Sequence, residues 1–79
     1  MRNVNSKEFR KAMIDADCNS FGDLELLTGI DRTSLSNYAK GAVKPSYESI
    51  SKIADAFHLK YEEIGMIFFY NELADMQAN

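Results

Sequence analysis

The chain has 79 residues, a net charge of −3, 46% hydrophobic and 27% charged residues, a globular composition with material for one core. One cysteine rules out a disulfide framework, no Cys/His cluster has zinc spacing, and the longest apolar run, Met66–Tyr70, is too short to span a bilayer. With His58 the single histidine, Cys18 the single cysteine and glycines scattered at 22, 29, 41 and 65, nucleophile–base pairs are scarce and no phosphate-binding glycine loop exists, so neither an enzyme nor a cofactor or metal is expected.

The punctuation predicts helices joined by short turns. Asn5 with Glu8 makes a capping-box-like start, and Phe9, Ala12, Met13 and Ala16 follow at helical spacing, which places helix one at about 6–16. Ser20 with Asp23 repeats the start signal. Phe21, Leu24, Leu27 and Thr28 then lie along one side of helix two, and Gly29 stops it at the left-handed position where glycine costs least. Asp31 caps helix three, about 32–40, with Leu35 and Tyr38 inward and Gly41 at its end. Pro45 closes a loop, and Ser46 caps helix four, whose Ile50, Ile53, Ala54 and Phe57 form a stripe. His58 stands at its C-terminus, where a left-handed cap with a dipole-favoured imidazole explains it better than catalysis does. A fifth helix is expected from about Lys60 or Tyr61 towards Ala74. Cys18 reads as a small loop or core residue.

The charge is uneven. Residues 1–30 carry −1, residues 31–60 carry +2 through Arg32, Lys40, Lys44, Lys52 and Lys60, and residues 61–79 carry −4. A binding face for an acidic partner is therefore expected in the middle despite the acidic total. The stretch Ser20–Gly41 has the layout of a helix-turn-helix: a short helix, a glycine turn, and a second short helix with a polar outer face that can enter a DNA major groove.

At this point the sequence resembles the phage-repressor/Cro-type helix-turn-helix family. The matching residues are Ser20, Leu24, Gly29-Ile30-Asp31, Leu35-Ser36, the Gly41 to Ser46 loop with Lys44-Pro45, and Ile53 to Leu59 followed by Ile64, so the likeness covers roughly residues 9–64. The resemblance implies an all-α, five-helix DNA-binding domain over residues 1–79, with the motif at about 20–41. It also implies a cytoplasmic transcription regulator, a repressor or Cro-like, that reads an operator in double-stranded DNA. Arg32, Thr33, Ser36 and Asn37 would meet base edges: arginine can fork onto guanine, asparagine can pair with adenine, and a threonine methyl can touch thymine. Ser20, Lys40, Lys44, Ser46 and Tyr47 would sit over phosphates.

Three departures stand out. Phe21 replaces a glutamine that often contacts phosphate in the family. Glu25 occupies a position normally small, where a carboxylate must swing outward or cost stability, and where it would repel DNA. The helix-one arginine and helix-three glutamate that pair in many members are here Ile14 and Ala39, expected to make an apolar contact instead. In helix five, Ile64, Ile67 and Phe68 point one way and Met66, Phe69, Tyr70 and Leu73 nearly the opposite way. The second face needs a surface, which makes the segment of about 60–75 a dimerisation element and the protein a homodimer. A contrasting reading from the acidity, Phe21, Glu25 and the apolar helix five is a protein-interaction module on the same fold, a modulator or anti-repressor that binds another regulator.

Overall fold

The computed structural model describes residues 4–70 and contains five helices: α1 Ser6–Asp15, α2 Phe21–Thr28, α3 Arg32–Lys40, α4 Tyr47–Phe57 and α5 Tyr61–Phe68, with no strand among the described residues. Each of the first four begins on a short polar side chain that accepts a hydrogen bond from a backbone N–H of the first turn. Asn5 takes that of Glu8 at 3.3 Å, Ser20 that of Asp23 at 3.1 Å, Asp31 that of Ser34 at 3.2 Å and Ser46 that of Ser49 at 3.2 Å. These are the orphan donors that every helix start leaves. At α5 the carboxylate does the work in reverse: the Lys60 N–H donates to Glu63 Oε1 at 2.9 Å.

The stops are equally local. Gly29 and Gly41 are left-handed, with φ of 74° and 78°, and His58 adopts the same conformation at φ 56°. At Gly41 and His58 the chain closes as a paired cap, with Ala42 N–H donating to Asn37 O and Leu59 N–H to Ala54 O, both 3.0 Å. Asp17, φ 60°, ends α1 the same way as Cys18 N–H reaches Met13 O at 2.9 Å, although its sequence carries no glycine signal. Around Gly29 a Cβ would meet nothing within 4 Å.

The core runs through all five helices: Phe9, Ala12 and Met13 of α1, Leu24 of α2, Leu35 and Ala39 of α3, Ile50, Ile53 and Phe57 of α4, Ile67 and Phe68 of α5, with Val4 and Cys18 from the flanks. Phe9 is its hub. Its ring meets Phe57 edge-to-face at 5.7 Å and Phe68 at 6.2 Å, which ties α1 to α4 and α5. The Asn5 N–H donates to the Ile67 carbonyl at 2.8 Å, closing the first helix onto the last. Burial, with the carboxylates of Asp23 and Asp17 behind it, pushes the Cys18 thiol above its usual pKa.

Four expectations need correction. Leu27 is 61% exposed, because the eight-residue α2 turns only Leu24 and Thr28 fully inward between α3 and α4. Ile14 is 75% exposed while Ala39 is buried, so Ile14 lies outside the core and does not replace a buried ion-pair partner there. In α3 the fully buried pair is Leu35 and Ala39, while Tyr38 packs against the core from a half-buried position. Finally, the helix is interrupted where continuity was expected: α5 runs to Phe68, Phe69 leaves it at φ −129°, ψ 21°, and Tyr70 is helical again. Its ring stacks on Tyr47 at 6.4 Å and lies under Lys44 Nζ at 4.6 Å. Phe69 is thus half-buried within the fold instead of continuing an outward stripe. Leu73 and the rest of the predicted helix to Ala74 lie outside the described residues.

Candidate nucleic-acid interface

The geometry of the α2–α3 pair is fixed at its turn. The Thr28 hydroxyl is buried, donates to the Leu24 carbonyl at 2.8 Å and accepts the Ile30 N–H at 3.1 Å. Gly29 N–H donates to Glu25 O at 2.8 Å, and Asp31 receives both the N–H and the hydroxyl of Ser34. Every residue from 28 to 31 is therefore tied to a helix, which makes the angle between α2 and α3 a property of the turn as well as of the core.

On α3 the inward side is Leu35 and Ala39. At about 100° per residue, Arg32, Thr33, Ser36, Asn37 and Lys40 occupy a continuous arc of roughly 140° beside the buried side, with Arg32 at the edge next to Ala39 and Asn37 farthest from the core. Arg32, Thr33 and Lys40 are exposed, and Ser36 and Asn37 are half-exposed. The four residues expected at base edges thus share one face, at the N-terminal and middle turns of the helix.

Arg32 does not extend freely. Its Nε donates to Glu25 Oε1 at 3.0 Å, with side-chain exposures of 69% and 35%. A Cβ at Gly22 would stand 3.8 Å from the guanidinium carbon and from one terminal nitrogen, so the group rests over the first turn of α2. Glu25, expected as a liability, has swung outward and found a cation. The pair also offsets the awkward placement of a cation at the first position of α3, near the positive end of its dipole. No spacing rule within one helix brings residues 25 and 32 together; the turn does.

The expected phosphate-facing residues have mixed fates. Ser20 and Ser46 are exposed and cap α2 and α4 with their hydroxyls. Lys40 is exposed at the end of α3, where a cation suits the dipole. Lys44 sits on the Phe69 ring, and Tyr47 is exposed while stacked on that same ring. Lys52, a further contributor to the local basic excess, pairs with Glu48 at 3.3 Å within α4.

Among the described residues no group of His, Cys, Asp or Glu could hold a metal ion, and no helix is long and apolar enough to cross a membrane. No curated protein and no solved structure matches the chain. A helix-turn-helix family model matches residues 22–64, more than half of the chain, from the first turn of α2 into α5. With α2, the left-handed turn and α3 laid out as that match requires, the chain belongs to the Cro/C1-type helix-turn-helix family of DNA-binding regulators.

Proposed function

We propose that the protein is a sequence-specific transcription regulator, repressor-like in action, that occupies an operator by inserting α3 into the major groove. The observation that carries this reading is the polar face of α3: Arg32, Thr33, Ser36 and Asn37 together on one solvent-accessible arc, behind a turn whose hydrogen bonds fix it. Arg32 and Asn37 supply the donors that guanine and adenine edges accept, and Lys40, Lys44, Ser20, Ser46 and Tyr47 supply phosphate contacts around them. Bound there, the protein blocks or repositions polymerase.

The protein acts as a homodimer through Met66, Tyr70 and Leu73, so that two copies of α3 meet half-sites one helical turn apart. Met66 is exposed beside the end of the core, which supports that surface, whereas Phe69 is already shared with Tyr47 and Lys44. A solution mass unchanged by Met66→Asp and by Leu73→Asp would remove the dimer from the proposal.

The DNA test is a titration of the protein into a labelled duplex from upstream of its own gene, against a random duplex, at low and moderate salt. The expected result is preferential binding that falls steeply with salt and is weakened in Arg32→Ala and in Asn37→Ala. Absence of binding to either duplex would turn attention to the second reading, a module that binds another regulator. That reading is favoured by the exposed Leu26, at 86%, next to Leu27 on α2.

A further inference from the structure

We infer that Glu25 is a specificity-determining positioning residue: by accepting from Nε of Arg32, it presents the two terminal amino groups of that arginine to one guanine of each half-site. This rests on the operator reading proposed above and adds to it a residue outside the recognition helix.

The observations converge on the guanidinium. Arginine has five N–H donors in a fixed planar fork, and it can meet guanine O6 and N7 with two of them. Here the Nε–H edge is taken by Glu25 at 3.0 Å. The remaining four donors belong to the two terminal nitrogens of a side chain that is 69% exposed. The carboxylate therefore selects one way of using the fork, end-on, and excludes the side-on approach that needs Nε. Gly22 leaves the space over α2 in which the guanidinium rests, with one terminal nitrogen 3.8 Å from where a Cβ would stand. Glu25 itself is held by the helix that the turn locks to α3, so both partners move as one body.

The consequence for recognition is twofold. A free arginine loses rotamer freedom when it docks on a base, and one already held by a carboxylate loses less. Glu25 also places a negative charge beside α3, which penalises a general approach to phosphates and is offset only where the arginine finds its guanine. Glu25 therefore raises discrimination more than it raises affinity.

The test is selection of binding sites from a randomised duplex pool by the full chain, carried out with the wild type, Arg32→Ala, Glu25→Ala and Glu25→Gln, each checked by thermal melting. The wild type is expected to select a guanine at one position per half-site, and Arg32→Ala to lose that preference alone. Glu25→Ala should cut the preference at that same position by roughly ten-fold, leave the other positions unchanged, and bind the random pool more tightly. Glu25→Gln, whose amide oxygen still accepts from Nε, should retain most of it. A guanine preference that Glu25→Ala leaves intact or sharpens overturns the inference while the operator reading stands. A loss at all positions together with a lowered melting temperature overturns it too, since it marks a structural role. A wild type that selects no sequence overturns both.

Discussion

Thr28→Val tests how the helix-turn-helix angle is held. The two side chains have nearly the same shape, so the substitution removes a hydroxyl and opens no cavity of consequence. The Leu24 carbonyl keeps the ladder bond that α2 provides from the backbone N–H of residue 28. The Ile30 N–H, which donates to the hydroxyl at 3.1 Å in a half-buried setting, loses that partner. A fully buried donor left unmade costs about 1–3 kcal/mol. Partial access to water puts Ile30 at the lower half of that range, and the extra methyl in the core returns up to about 0.8 kcal/mol. The net expectation is a loss of about 1 kcal/mol, which in a domain of this size lowers Tm by about 4–8 °C. Urea unfolding followed by far-ultraviolet circular dichroism would measure it, with amide exchange at Ile30 as the local readout. Thr28→Ser should keep the Ile30 amide protected although it loses a methyl. A Thr28→Val protein as stable as the wild type, with Ile30 still protected, would show that packing alone sets the turn.

Phe9→Ala should be far more severe, because Phe9 is fully buried and joins two edge-to-face ring contacts. The expected loss of about 3–5 kcal/mol is a large share of a total stability of about 4–12 kcal/mol for a chain of this length, so chemical unfolding should show a strongly lowered midpoint, and a loss under about 1.5 kcal/mol would contradict the hub role. His58→Gly should raise stability by about 0.5–1 kcal/mol, since glycine adopts the left-handed cap without the Cβ clash that His58 accepts; a decrease in urea melts would mean that the imidazole contributes more than the strain costs. The raised Cys18 pKa gives a pH signature. A thiol that holds its proton more tightly when folded contributes fully below the unfolded value of about 8.5 and loses that contribution as pH rises above it. The stability gap between wild type and Cys18→Ala should therefore narrow from pH 7.5 to pH 9.5, and a constant gap would refute the linkage.

The helix starts were legible because Asn5, Ser20, Asp31 and Ser46 are short acceptors placed directly before apolar periodicity, and local chemistry decides a cap. Gly29, Gly41 and His58 were legible as stops for the same reason. What was not legible depends on distant partners. Phe69 continues the helical pattern of α5 in sequence, yet it leaves the helix and shares its ring with Tyr47 and Lys44, over twenty residues earlier. Leu27 fits an apolar stripe, but a two-turn helix wedged between α3 and α4 has a buried side too narrow to include it. At the interface, the polar arc of α3 could be read from spacing, whereas the Glu25–Arg32 pair could not. It exists only after the turn folds one helix onto the other, and in sequence the charge of Glu25 reads only as a repulsion towards DNA.

The open space around Gly29 has a stereochemical consequence. With nothing beyond its chain neighbours within 4 Å of a notional Cβ and a φ of +74°, the position rejects ordinary residues because of their chirality and not because a neighbour crowds the Cβ. Alanine and tryptophan should be refused there for the same reason and to a similar degree. A mirror-image residue, introduced by chemical synthesis, prefers this backbone conformation and would stiffen the unfolded chain as well.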